Sequence, residues 1–307
     1  MHLKGIFKNT GSGFQLFLFL ALLILGALLG ALAGFLLSNW IYGLGIHELG
    51  RAIQSADPRA LGLGRLIQLS GQIGLFVLPP LVLAYLVSPA SAPFLGFRNH
   101  LPLLGYLPWV LLMIACLPLI HALADLNHQI ALPESFSKIE NWMKLKEKQA
   151  EEMTHFFLGV ESYSGLLFNL FMVALIPAFG EELVFRSALQ PLLGKITRSQ
   201  HAGVIISALL FSAMHIQFYG LFPRFVLGLF LGYAYLWTRS IWVPMLMHFV
   251  NNAAAIIVFY LFHNGHIAIQ MDEFGAGGGL TTRILSIILS LSLVFAGYQL
   301  AKKNSFE

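Results

Sequence analysis

Long apolar runs with almost no interior charge divide the chain: 14–37, 66–87, 103–123, 163–189, 202–222, 225–237, 242–262 and 284–301. At about 1.5 Å of rise per residue, the longer ones can cover the roughly 30 Å of hydrocarbon in a bilayer. Strand-like alternation, the mark of a membrane barrel, is absent. The pattern predicts an all-α fold, a polytopic transmembrane helical bundle of about eight spans. The spans around Phe225 and Trp242 are separated only by a short turn at Arg239 and Ser240. The first run is longer than a signal-peptide core and is expected to remain in the mature protein. Within it Gly26, Gly30 and Gly34 recur every four residues, a stripe along which another helix can approach closely. Pro79, Pro80 and Pro118 fall inside spans and predict kinks.

Two connections carry their own signals. Segment 133–160 mixes Lys144, Lys146, Lys148, Glu147, Glu151 and Glu152 with Ile139, Trp142, Met143, Phe156 and Phe157. Ser137 stands three residues before Glu140, the spacing of a capping box. The segment is expected to form a polar helix near the membrane surface, either a solvated connector or a gate for substrate. Gly275, Gly277, Gly278 and Gly279 follow Asp272 and Glu273, but no strand precedes them and no GK[ST] follows. They read as a flexible loop and not a phosphate cradle.

Composition narrows the function. Apolar residues make up 57% of the 307 and charged residues 10%, against roughly 25% charged in ordinary soluble proteins. The mean hydropathy is +0.76. The 18 Lys and Arg exceed the 14 Asp and Glu but are scattered through loops, which argues against a nucleic-acid partner and leaves membrane lipid as the surrounding medium. A single Cys116 rules out an intramolecular disulfide, a multi-cysteine zinc site and a CxxC redox motif. Counted over eight spans, the basic residues divide eight against nine between the two sides and do not orient the bundle. Basic termini and an acidic last loop favour termini on the cytoplasmic side of a cytoplasmic (inner) membrane.

Charges inside spans are costly, so each calls for a partner or a task. The fourth run ends in Glu181, Glu182 and, one turn on, Arg186. Glu182 and Arg186 are four apart with the acid first, the favourable order for an ion pair on a helix. Glu181 points about 100° away and must face something else. The fifth run reaches Phe211 and His215; the seventh carries His248, Asn251 and Asn252. His248 and Asn252 share one helix face, whereas Asn251 points elsewhere. Each histidine alone would pass as a hydrogen-bonded core residue. Gathered together, Glu181, His215, His248 and Asn252 would supply a base for water, a partner to orient it and donors for an oxyanion.

The motifs EExxxR, FxxxH and HxxxN, in this order on successive apolar segments, resemble the CPBP family of intramembrane proteases. That family includes the type II CAAX prenyl endopeptidases and bacterial Abi-like relatives linked to bacteriocin processing and self-immunity. The resemblance is specific over residues 178–252, with Asn141, Trp142 and Met143 preceding it. It implies that Glu181 activates water with help from His215, that His248 and Asn252 stabilise the oxyanion, and that Glu182 and Arg186 support them. Phe211 would pack beside His215 without a chemical role. On this reading residues 1–307 form a single integral membrane domain, with 133–160 an interfacial helical connection and 163–262 the catalytic core helices. The expected partner is a peptide or membrane-protein substrate, and no cofactor is required.

Two rivals use the same residues. A zinc metalloprotease would employ two histidines and a glutamate as ligands, yet the chain has no HExxH. His47 and Glu48 come near to it, but Arg51 occupies the fourth place, so an interfacial loop is the plainer reading there. A non-catalytic immunity protein or a small transporter would keep intramembrane Glu and His for binding or proton relay. No inverted repeat or matched pair of broken helices supports a transporter.

Overall fold

In a computed structural model the chain is described over residues 3–43, 59–97, 101–130, 132–268 and 279–304. His47, Glu48, Arg51 and most of the glycine-rich loop, including Asp272, Glu273, Gly275, Gly277 and Gly278, lie outside these residues. All regular structure among the described residues is helical. Ten longer helices carry the bundle: α1 (Ser12–Tyr42), α2 (Arg59–Val87), α3 (Leu103–Ala115), α4 (Leu117–His128), α5 (Ser137–Leu158), α6 (Tyr163–Thr197), α7 (Gln200–Met214), α8 (Leu221–Thr238), α9 (Trp242–His263) and α10 (Gly279–Asn304).

Each apolar run predicted as a span contains a helix, but the runs are unequal. Among the described residues six helices are long and apolar enough to cross a bilayer, and α3 with α4 makes a seventh if that pair, bent by 41°, is one span. The remaining run, expected as the fifth span, yields only α7, with 15 residues. At about 1.5 Å per residue it reaches roughly 22 Å, short of a full crossing. The run that seemed continuous through residue 222 instead turns at 215–220 and re-enters a helix at Leu221.

The bundle is arranged for an apolar solvent. α1 buries Gly26, Gly30, Gly34 and Ser38 and turns Leu28, Leu32 and Trp40 outward, and α10 buries Ser286 and Ser290 while exposing Leu291 and Phe295. Small residues inside and large aliphatics outside is the pattern of helices that pack by close approach and are wetted by acyl chains. The glycine stripe lies on α2: a Cβ on Gly30 would strike the Ser70 carbonyl and crowd the Cα of Gly74, and one on Gly26 would strike the Gly74 carbonyl. Gly30→Leu is therefore expected to pry α1 from α2, costing about 1–3 kcal/mol or more from overpacking, read as a lower melting temperature in detergent.

Prolines shape the rest. Three widened, π-helical stretches, Ile73–Val77, Leu170–Leu175 and Leu183–Leu189, each stop two residues before a proline, at Pro79, Pro177 and Pro191. A proline lacks the N–H that would bond the carbonyl four residues earlier, and its ring collides with that carbonyl; an expanded turn relieves both problems. The kink expected at Pro118 appears as the break at Cys116 between α3 and α4. Pro177 and Pro191 account by the same logic for the two widened turns of α6, on either side of its two glutamates.

The capping box expected at Ser137 is not formed. A 3-10 turn over Glu134–Phe136 winds the chain early, with the Phe136 N–H donating to the Pro133 carbonyl at 2.8 Å. Ser137 is already helical, and the helix start has no side-chain cap. Glu140 pairs with Lys144 at 2.7 Å instead, a hydrogen bond that holds the Lys144 ammonium above its ordinary range.

Candidate active site

α6, α7, α8 and α9 surround a cavity of about 260 Å³ lined by Glu181, His215, Arg224, His248, Asn251 and Asn252, with largely apolar walls that include Met113, Leu227 and Leu231. The four residues that the sequence singles out for chemistry thus stand around one space, although they come from three helices.

The two adjacent acids of α6 have different surroundings. Glu182 is fully buried: its Oε1 accepts from His248 Nδ1 at 2.9 Å, and its Oε2 lies 3.1 Å from Arg186 Nε. Arg186 is equally buried, approaches the Gly228 carbonyl at 3.5 Å and lies over the Phe211 ring, 4.7 Å from its centroid. The predicted ion pair is present, and it also holds the His248 ring. Glu181, one residue earlier, turns into the cavity. Its Oε2 is 4.0 Å from His248 Nε2, too long for a direct hydrogen bond, and has no hydrogen-bond partner among the described residues. A buried carboxylate oxygen left in this state is a strong acceptor facing a polar space.

Both imidazoles have an assigned polarity. His215 Nδ1 lies 2.9 Å from the Phe211 carbonyl. A carbonyl only accepts, so Nδ1 carries the proton and Nε2 is the ring's acceptor in the neutral form. By the same reasoning His248 Nδ1 donates to Glu182, and its Nε2 accepts when the ring is neutral and donates when it is charged. Phe211 does more than pack beside His215: its ring meets His215 edge-on at 5.2 Å and His248 at 5.7 Å, a spacer that sets both imidazoles. His215 closes α7, and the next residue, Ile216, has φ 53°. That left-handed conformation is strained for a β-branched side chain, by about 1–3 kcal/mol, and marks the sharp turn that ends α7 at the cavity.

The asparagines complete the wall. Asn252 Nδ2 comes within 3.5 Å of the Val173 carbonyl, the group that Pro177 cannot bond. Asn251 Nδ2 donates to Asn252 Oδ1 at 3.2 Å. Asn251, which helix geometry alone turned away from the motif, therefore lines the cavity and orients its neighbour. Arg224 was also overlooked, as a charge in the short gap between two apolar runs. Because α8 begins at Leu221, Arg224 sits on its first turn, facing the cavity. Among the described residues no three His, Cys, Asp or Glu side chains are grouped so that they could share a metal ion.

Fold and cavity together define a class: an integral membrane helical bundle that holds an acid, two imidazoles and an amide around an internal cavity with largely apolar walls. Residues 163–254 match the family described as Type II CAAX prenyl endopeptidase Rce1-like, a similarity that agrees with the resemblance drawn from the EExxxR, FxxxH and HxxxN motifs. Over 89 residues the chain is 30% identical to "Uncharacterized protein YpbD" of Bacillus subtilis (strain 168). That match covers 28% of this chain and 42% of the relative, less than half the relative's length. No solved structure matches the chain.

Proposed function

We propose that the protein is an intramembrane endopeptidase of the glutamate type, hydrolysing a peptide bond in a membrane-embedded or lipidated protein or peptide. The observation that carries this reading is the unpartnered Glu181 Oε2, buried in a cavity that it shares with two imidazoles and two amides. Glu181 accepts a proton from water as the hydroxide oxygen bonds to the scissile carbonyl carbon, and His215 Nε2 holds that water as a second acceptor. The carbonyl oxygen becomes an oxyanion, received by the Asn252 amide and by His248 Nε2 when that ring carries both protons. Collapse breaks the C–N bond, and the departing amine takes the proton from Glu181. Glu182 and Arg186 do not touch the substrate; they fix the His248 ring.

The family match favours peptidase chemistry, and the family's CAAX description suggests a substrate near a lipidated chain end. Two measurements test the reading. Comparing membrane-protein termini by mass spectrometry in cells carrying the native chain or Glu181→Ala is expected to show termini that disappear with the substitution; an identical set of termini refutes hydrolysis. Purified protein treated with a tight zinc chelator is expected to keep its activity, whereas loss of activity restored by stoichiometric zinc favours the metalloprotease alternative.

A further inference from the structure

We propose that Arg224 is a substrate-binding residue that receives a carboxylate, so that the bond cut lies close to a chain end or to an acidic side chain. This rests on the peptidase reading above. Arg224 lines the same cavity as Glu181 and His215. It stands on the first turn of α8, where the helix dipole is positive and a cation weakens the helix, so helix stability does not explain it. Its partners are neutral: Nη1 donates to the Gln217 carbonyl at 3.2 Å and Nη2 to Gln217 Oε1. Among the described residues no carboxylate pairs with it directly: Glu147 on α5 is one step removed through Gln217 Nε2 at 3.5 Å, and Glu181, which lines the same cavity, acts on its charge only at a distance.

Arg186 makes the contrast plain. That guanidinium is fully buried and its charge is met by Glu182 on its own helix. Arg224 has a charge held in place by two hydrogen bonds to Gln217 and left without an opposite charge in contact. A guanidinium fixed at one side of a largely apolar cavity matches a carboxylate in both charge and geometry. Because the cavity is only about 260 Å³, a carboxylate docked there leaves few residues between itself and the carbonyl beside Glu181. Arg224 would therefore set where the chain is cut, while Glu181 does the cutting.

The test measures binding and not turnover. One apolar decapeptide, fluorescently labelled, is prepared with a free C-terminal carboxylate, with a C-terminal carboxamide, and as the carboxamide with one Glu near its end. Each is titrated by anisotropy against the full chain carrying Glu181→Ala in lipid nanodiscs. The carboxylate form is expected to bind about tenfold more tightly than the carboxamide. Adding Arg224→Gln should bring that ratio close to one, and Arg224→Lys should keep part of it. If the internal Glu restores tight binding, the carboxylate recognised is a side chain; if it does not, the carboxylate is the chain end. Equal binding of all three forms, no binding of any of them, or a preference that survives Arg224→Gln overturns the assignment. The ratio is taken within one variant, so a poorly folding Arg224→Gln protein leaves the parent ratio decisive. Hydrolysis by the native chain is scored separately, so its failure counts against the peptidase reading and not against Arg224.

Discussion

Glu181→Gln is expected to lower peptide hydrolysis by about a thousandfold, while the protein melts at or above the native temperature. The first effect follows from the loss of a proton acceptor at the water, a contribution of about 10²–10⁴ in rate. The second follows from the surroundings of the side chain. Glu181 Oε2 is buried with no hydrogen-bond partner among the described residues, so the native carboxylate is a cost to folding that a neutral amide reduces. Initial rates on a cleaved substrate, together with thermal unfolding in detergent, check both halves. An active Glu181→Gln protein would remove the base from the mechanism, and a strongly destabilised one would show that the side chain is structural.

Five residues along the same helix, the opposite signature is expected. Arg186→Met leaves Glu182 charged, fully buried and without its cation. Breaking a buried pair from one side costs about 3–5 kcal/mol, enough to unfold a marginal bundle or to strip it of activity by releasing His248, which Glu182 holds at 2.9 Å. The double variant Glu182→Gln with Arg186→Met removes both charges, and Gln can still accept from His248 Nδ1. It is expected to recover at least half of the lost stability. Melting temperatures of the two single variants and the double variant, analysed as a cycle, test this coupling. Additive losses would mean that the pair is not a unit.

Much of this arrangement is legible in the sequence because membrane residence makes each polar residue conspicuous. Glu182 and Arg186 are four apart and do pair; Glu181, about 100° round the helix, does face another space. The apolar runs are helical, except where the run 202–222 turns at 215–220 and the run 103–123 breaks at Cys116. What was missed concerns the backbone more than the side chains. Helix arithmetic assumes 3.6 residues per turn, and α6 departs from it in two widened turns around its acids. The proline spacing is the visible sign of those turns. Asn251 was set aside by the same arithmetic because it does not share the Asn252 face, yet a cavity is wider than one face. Arg224 was missed because hydropathy marks where greasy runs stop, not where helices start, and the first turn of α8 carries the charge inside the bundle. The capping box at Ser137 failed because a preceding turn had already wound the chain, something local spacing does not reveal.

The brevity of α7 has a consequence for the lipid around it. A helix of 15 residues spans roughly 22 Å, so either the hydrocarbon slab is pinched along that flank or headgroups dip inward to meet its end. His215 caps that end, so a thinned layer there would leave this imidazole of the cavity nearer to water than a full-length span would place it. Water enters such a depression more easily than an intact acyl layer, which gives the cavity at the end of α7 a short route to solvent without any opening of the bundle.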